Sequence, residues 1–500
     1  MKPLALLTVA VLALGSLVLY ACRDTSEVTA PSQAAIAAST VATKGRWGAV
    51  FTTPSVNVHM HLLKTGKVLV WGDQKGAYLW SSGTGFTAVA AKPFRIYCTG
   101  HAFLPDGRLL VMGGTSDQTR GLRYATIFDP TTKAWTTTTS MAQGRYYPTA
   151  TTLPNGDVLV ISGHDTAKAV VKIPEVRSGS SWRRLTTAPL SIPNPFYPAM
   201  FVAPNGKVFL AGFTPTSAYL DVAGTGHWQS VDKRNEDGRM LGSAVMYEPG
   251  KILYVGGGVD SVFARDTTLQ PTASAEVIDL NQAAPNWRTV PGMANRRRQL
   301  NATILADGKV LVTGGTSGVG FNNQAGAVHT AELWNPKTET WTTVAAESRT
   351  RTYHSAALLL PDARVLSSGS GEGGGITFAN SEFSAQIFTP PYLFKSDGTL
   401  AARPTISSAP SRLSYKQTFT IQTPNAASIT RGTLIRLSSV THAFNQSQLI
   451  YPLTVKVTGT TSLSAVAPAS GALAPPGPYM LFILNSAGVP SVAKMVTVGP

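Results

Sequence analysis

The sequence predicts an all-β chain, a seven-bladed β-propeller followed by an immunoglobulin-like β-sandwich. Three observations carry this: a hairpin unit repeated seven times, a tryptophan late in most repeats, and a change to short unrepeated strands after Tyr392. A length of 500 residues suits a large repeat fold with a further domain. Hydrophobic residues make up 43% and charged residues 14%, enough apolar material for a large core, which excludes global disorder.

The repeating unit is a β-rich run, an Asp/Asn-Gly turn and a second β-rich run ending in glycine. Its turns are Leu63-Lys64-Thr65-Gly66, Leu104-Pro105-Asp106-Gly107, Leu153-Pro154-Asn155-Gly156, Ala203-Pro204-Asn205-Gly206, Glu248-Pro249-Gly250, Leu305-Ala306-Asp307-Gly308 and Leu360-Pro361-Asp362-Ala363. A second hairpin follows most copies, with Trp135, Trp182, Trp228, Trp287 and Trp341 near its end and Phe86 in the first copy. Four strands per unit, a Gly-Gly and a late tryptophan describe the kelch form of propeller blade. The seventh copy lacks its tryptophan, and Gly45-Arg46-Trp47-Gly48 stands before the first copy without a hairpin of its own. This segment is expected to supply the outer strand of blade 7 and close the ring, which removes the open ends a solenoid would have to cap. The propeller is placed at 45–395 and the sandwich at 400–500, where runs such as TFTIQT, TLIRLSS and YMLFIL are separated by Pro, Gly and Ser.

Residues 1–22 read as a targeting segment, with Lys2 at its start and an apolar run from Leu4 to Leu19. Its end, Leu19-Tyr20-Ala21-Cys22, resembles the lipobox of bacterial lipoproteins, which implies that Cys22 carries a lipid anchor holding an exported chain to the cell envelope or cell surface. A plain signal peptide or an uncleaved anchor helix is the other reading of the run. Residues 23–44, rich in Ala, Thr and Ser, are expected to be a flexible linker. The formal net charge of +16 is spread along the chain apart from Arg296-Arg297-Arg298. No nucleic-acid motif accompanies it, so the charge is expected to be a solvated surface. The chain is expected to be a monomer.

The chemistry is located by register. Innermost strands line a propeller's axis, so positions six residues before each turn are neighbours on one face. They are Cys98 in blade 2, Tyr147 in blade 3, Tyr197 in blade 4, Gln299 in blade 6, and His354 in blade 7 with Tyr353 before it. Cys98 and Tyr147 should lie side by side, facing Tyr353 and His354. Tyr146 should point to the opposite side of its strand, because side chains alternate. Imidazole with phenolate suits Cu(II) or Fe(III), and a tetragonal N,O set favours copper. Register alone leaves two readings open, a metal site or packing around the axis.

Four segments resemble the copper radical oxidases, the galactose oxidase and glyoxal oxidase family: Tyr97-Cys98-Thr99-Gly100-His101, Gly144-Arg145-Tyr146-Tyr147-Pro148, Arg351-Thr352-Tyr353-His354-Ser355 and Val440-Thr441-His442-Ala443-Phe444-Asn445. The resemblance implies one copper per chain, held by Tyr147, Tyr353, His354 and His442, with Cys98 joined to the Tyr147 ring by a thioether. It implies oxidation of a small primary alcohol or aldehyde by dioxygen, giving aldehyde or acid plus hydrogen peroxide. Tyr147 would then carry a radical and Tyr353 act as general base. Where galactose oxidase stacks a tryptophan over the thioether, this chain has Gly163-His164-Asp165. Asn194-Pro195-Phe196-Tyr197-Pro198 looks more like glyoxal oxidases, without galactose oxidase's sugar-contacting arginine. His164, Tyr197, Arg298 and Gln299 are the pocket-wall candidates. A non-catalytic kelch-like surface binding or adhesion protein is the alternative function.

Overall fold

The computed structural model describes residues 33–500 apart from 74, 75, 118, 191–195, 213, 237, 238, 259–269 and 374. The expected signal segment 1–22, its Cys22, and Asn194-Pro195 lie outside the described residues. Residues 33–44, taken above as flexible linker, form the helix Gln33–Lys44 against Pro391–Leu393 and Thr340–Ala346. The composition read as flexible is alanine-rich, and alanine is the strongest helix former. Among the described residues no helix is long and apolar enough to cross a membrane.

Six four-stranded antiparallel units follow, spanning 59–88, 99–138, 149–184, 199–233, 243–290 and 298–346. A seventh is built from Ala356–Leu359, Val365–Ser368, Ser384–Thr389 and the N-terminal strand Arg46–Trp47. Each blade's first hairpin turns on a residue with positive φ, such as Gly107 (84°), Gly156 (91°) and Gly308 (85°). In blade 7 Ala363 takes this conformation (63°). The preceding Asp or Asn side chain accepts from the backbone N–H two residues on, as in Asp106 to Arg108 and Asn155 to Asp157.

Closure runs as the spare N-terminal segment implied. Trp47 pairs with Phe388, and Arg46 with Thr389. Blade-to-blade contact is pinned by indoles. Trp135, Trp182, Trp228 and Trp341 each donate to a backbone carbonyl of the preceding blade: Ala90, Thr139, Ala188 and Pro291. Trp47 donates to Ala345 at 2.8 Å. It therefore supplies the tryptophan that the seventh repeat lacks.

Charged side chains fasten the entry to four of the inner strands. Arg145–Glu175, Arg239–Glu276, Arg297–Glu332 and Arg351–Glu347 are ion pairs of 2.6 to 2.9 Å with both partners essentially buried. The arginine of each also donates to backbone carbonyls, so its desolvation is offset by several bonds. The reading of the charge as a solvated surface fails at Arg297, which is fully buried, as is Arg298, the pocket-wall candidate beside it. A local charge run does not reveal that two of its members point inward.

Arg412–Ser414, Lys494–Gly499, Gly477–Asn485, Ile429–Arg436 and Ile450–Leu453 form one sheet of the C-terminal sandwich. The second contains Thr418–Gln422, Ser462–Val466 and Val455–Gly459, and Phe419, Ile421, Leu434, Leu463 and Leu481 pack between them. From this domain a hairpin, Ser439–Thr441 with Phe444–Asn445, enters the propeller axis and pairs with the inner strand His59–Leu62 of blade 1. Residues 432–450 are buried throughout.

If Trp47 closes the ring, Trp47→Ala should lower stability by about 2 kcal/mol, from lost aromatic burial and one lost hydrogen bond. Equilibrium denaturation should show the lower midpoint. An unchanged midpoint would mean that the N-terminal strand is an ornament on an already closed propeller.

Candidate metal centre

The inner strands enter the channel through a shared backbone kink. Cys98 (φ 54°), Tyr147 (69°), Tyr197 (45°), Leu241 (59°), Gln299 (61°) and His354 (70°) are all left-handed, and they occupy the same register in blades 2 to 7. A non-glycine residue rarely adopts this conformation, which costs roughly 1–2 kcal/mol. Inter-blade backbone hydrogen bonds hold it at three of the six. Tyr147 N–H donates to Cys98 O (3.0 Å), Tyr197 N–H to Tyr147 O (3.0 Å) and Gln299 N–H to Leu241 O (2.6 Å). The kink turns these side chains inward around one point above the axis.

His442 reaches the same point from the other domain. Its hairpin has a two-residue loop, His442-Ala443, with φ 49° and 66°. Two positive φ values at the centre of a tight hairpin define the turn type that matches strand twist. The loop is held by Ser243 Oγ donating to Ala443 O (2.6 Å), and Thr441 Oγ1 lies 2.6 Å from His442 Nδ1.

The groups converge as follows. Tyr147 Oη lies 3.0 Å from Tyr353 Oη. The His442 ring centre is 5.1 Å from that of Tyr147, 5.3 Å from Tyr353 and 4.4 Å from His354. Cys98 Sγ is 3.5 Å from His442 Nε2, and the ligand atoms of Cys98, His354 and His442 lie within 4.8 Å of one another. Cys98 also packs in one buried cluster with Tyr97, Tyr146 and Tyr147. All five residues, Cys98, Tyr147, Tyr353, His354 and His442, are buried.

The donor set fits a copper ion. His354 Nδ1 donates to Gly371 O at 2.6 Å, which leaves the Nε2 lone pair free, and that atom is buried with no hydrogen-bond partner among the described residues. Burial holds both imidazoles neutral, with His354 depressed to about 4 and His442 well below its ordinary value. Burial also pushes the Tyr147 and Tyr353 phenols up, so their phenolate forms need a cation beside them. Two neutral imidazoles and two phenols in a dry site make the N,O set that copper prefers.

Tyr146 departs from expectation. Its ring centre lies 4.1 Å from that of Tyr147, and its hydroxyl donates to Tyr147 Oη at 3.2 Å. Strand alternation does not apply, because the left-handed Tyr147 brings consecutive side chains to the same side.

Among the pocket candidates, Tyr197 lines the site, its ring 4.9 Å from His442 and its hydroxyl donating to Thr99 O. Arg298 and Gln299 turn to the loop 317–327. Arg298 donates to Phe321 O and Gly318 O, and Gln299 Nε2 donates to Phe321 O. They fix that loop, which sets the Phe321 ring 4.9 Å from Tyr353. His164 is one layer removed. It packs edge-on against Phe196, and Phe196 in turn meets the Tyr147 ring at 4.5 Å. Phe196 thus contacts the ring for which the sequence showed no covering tryptophan. Phe196 and Phe321 were missed as site residues because each depends on a loop path that strand register does not give. Tyr97, whose ring centre lies 5.7 Å from that of His354, belongs to a motif already read.

A seven-bladed propeller whose axis holds two imidazoles and two phenols, one imidazole donated by a second domain, defines a mononuclear metalloenzyme of the oxidase class. Comparison with known proteins agrees. The model "Glyoxal oxidase N-terminus" matches residues 88–392, and "Galactose oxidase-like, Early set domain" matches 403–498. A galactose oxidase of Gibberella zeae is 32% identical over 494 residues, covering 91% of this chain and 70% of that protein. An aldehyde oxidase GLOX of Vitis pseudoreticulata is 28% identical, covering 81% and 82%. A solved fungal alcohol oxidase of the AA5 family, in complex with copper, superposes with a TM-score of 0.83 at 28% identity, covering 92% of this chain and 100% of that one. The chain belongs to the galactose oxidase and glyoxal oxidase family of copper radical oxidases. It is a copper-dependent oxidase rather than a binding module, acting on an alcohol or aldehyde with dioxygen. The cofactor of the family is copper with a thioether-linked tyrosyl radical.

Five buried histidines, His59, His61, His101, His354 and His442, are all held below their ordinary 6.5, chiefly by desolvation. The unfolded chain protonates them near 6.5, but the copper-free folded chain does so only at lower pH, at about 4 for His354 and about 3 for His101. Stability of the copper-free protein should be full above pH 6.5 and fall as pH drops. The slope should approach about 1.4 kcal/mol per pH unit for each imidazole. Urea midpoints measured between pH 7.5 and 5 check this, and a flat profile would contradict it.

Proposed function

We propose that the chain oxidises a small primary alcohol or aldehyde at a copper held by Tyr147, Tyr353, His354 and His442, with Cys98 bonded to the Tyr147 ring. The observation that carries this reading is the convergence of those side chains from four separate segments, with His354 Nε2 buried and unpartnered among the described residues. Bound copper supplies a one-electron redox change and polarises a substrate hydroxyl. The second electron is held by Tyr147, which the thioether makes easier to oxidise. With copper bound and the thioether formed, Tyr353 would accept the hydroxyl proton, and Tyr147 in its oxidised form would take the hydrogen from the adjacent carbon. Phe196, Phe321 and Leu241 keep water from the reacting groups.

The walls around Tyr147 and His442 are mostly aromatic and aliphatic, and Arg298 holds the loop 317–327 through Nε and one Nη. A site that selects a sugar needs polar groups for its hydroxyls. Glyoxal, methylglyoxal, glycolaldehyde and benzyl alcohol should therefore outperform galactose in a coupled peroxide assay. Galactose as the best substrate would overturn this pocket reading. Tyr353→Phe should keep the copper and lose about 10²–10⁴-fold in rate, the usual worth of a general base. Tyr353→Phe with full activity would remove Tyr353 from that role. His442→Ala should lose most copper, although it lies outside the propeller.

We also propose that the mature chain is a monomer anchored to the bacterial cell envelope through acylated Cys22. The apolar run ending Leu19-Tyr20-Ala21-Cys22 supports this reading. Cys22→Ser should move the protein from the membrane fraction to the soluble one. A mature wild-type chain without lipid would refute it.

A further inference from the structure

Next to the metal centre lies a second group of buried titratable side chains, His59, His61 and His101, whose ring nitrogens lie within 4.8 Å of one another. Their hydrogen bonds fix what they do. Cys98 N–H donates to His59 Nε2 at 3.0 Å. A backbone N–H can only donate, so Nε2 is the acceptor and the neutral ring carries its proton on Nδ1. That proton faces His101 Nε2 at 3.3 Å. His101 in turn carries its proton on Nδ1, which faces Ser439 Oγ at 2.6 Å. The Ser439 hydroxyl is left to donate to His61 Nδ1 at 2.8 Å. Every tautomer follows from the first bond: His61 accepts at Nδ1 and carries its proton on Nε2, which is buried without a hydrogen-bond partner among the described residues, and every imidazole lone pair is used. The cluster has none left for a metal ion.

The start of this chain is its significant end. At three of the other five left-handed positions around the mouth the residue's N–H donates to a carbonyl of the blade before it, Tyr147 to Cys98 O, Tyr197 to Tyr147 O and Gln299 to Leu241 O, while Leu241 and His354 make no such backbone bond among the described residues. Asn57 holds that register in blade 1 and is not left-handed, and its side-chain Nδ2 donates to Ser368 Oγ. For Cys98 the acceptor is the His59 imidazole instead. His59 itself is stacked on the buried Trp71 at 4.9 Å, and its strand is paired with the hairpin that carries His442.

We propose that His59 is the positioning residue for formation of the Cys98–Tyr147 thioether, its Nε2 replacing the missing carbonyl and holding Cys98 in the left-handed conformation that aims Sγ at the Tyr147 ring. The inference rests on the thioether reading above. In that reaction the Sγ–H bond and one C–H bond of the ring beside the hydroxyl break, and an S–C bond forms. Two electrons and two protons pass to dioxygen, giving hydrogen peroxide. His59 takes no part in the redox step. It restricts the thiol to a reactive arrangement, and reaction rates are steeply sensitive to such restriction.

The test uses copper-free full-length chain, loaded with copper in air, with cross-linking followed by the loss of two hydrogens in intact mass. Glutamine can place a carbonyl oxygen where Nε2 lies, and asparagine cannot reach it. His59→Gln should cross-link at close to the wild-type rate. His59→Asn should be about tenfold slower or worse, the cost of one buried unsatisfied N–H, while binding one copper with an unchanged paramagnetic resonance spectrum. Equal rates in the two variants would overturn the proposal. A wild-type chain that never cross-links would instead defeat the reading on which it rests. A further measurement needs no variant. Nitrogen-15 shifts of the imidazoles in copper-free wild type should show His59 protonated on Nδ1, and a proton on Nε2 would overturn the proposal, as would a second copper bound at this cluster.

Discussion

The site depends on a stretch of polar backbone placed where water is absent. Residues 439–448 of the second domain run into the propeller channel, and each of their peptide groups must be satisfied there. Part of the solution is sheet pairing: Ser439–Thr441 adds to the inner strand of blade 1 and extends that blade to six strands. Part is side-chain capping by this segment and its surroundings. Gln446 Oε1 accepts from His101 N and Ala150 N, Gln448 Oε1 accepts from Ile304 N, and Asn445 Oδ1 accepts from Ser439 N. With these bonds made, the channel becomes a packed interior. The tip of the hairpin can then fall in only one place, which is where His442 is needed.

That arrangement also accounts for the asymmetry of the ring. Blades 2 to 7 all present a left-handed residue at the mouth, so the fold offers six equivalent inward-facing positions. The chain fills them with a thiol, two phenols, an aliphatic, an amide and an imidazole. Blade 1 is occupied by the intruding hairpin and contributes histidines below the mouth. The reactive thiol therefore sits at the seam between the two domains, adjacent to His442 and supported by His59.

The buried arginine–glutamate pairs belong to the same logic. Arg145, Arg239 and Arg297 each stand two residues before a left-handed residue, and Arg351 three before. Each anchors the backbone just upstream of the kink to its own blade. Removing one partner would leave an uncompensated buried charge, a change that typically costs 3–5 kcal/mol. Strain at the metal centre is thus opposed by electrostatic fastening a few ångströms away. Close packing at the neighbouring glycines adds to this: a Cβ at Gly113 would fall 2.3 Å from Arg145 O.

The sequence by itself determined the repeat, the number of blades, the closing strand at Trp47 and the register that gathers Cys98, Tyr147, Tyr353 and His354. Those features follow from strand periodicity and turn chemistry, which are local and recur. His442 was legible only through resemblance, because no spacing rule links a hairpin of one domain to the axis of another. Tyr146 was misplaced because alternation assumes extended backbone, and the left-handed kink at Tyr147 suspends it. Phe196 and Phe321 emerged only with the fold, since each reaches the site through a loop whose path is set by distant anchors such as Arg298. Arg297 shows the same limit: charge read along the chain cannot tell an outward side chain from one buried against a glutamate. Tertiary structure decided these cases because each turns on which groups share a solvent-free volume, and that is a property of packing rather than of sequence neighbourhood.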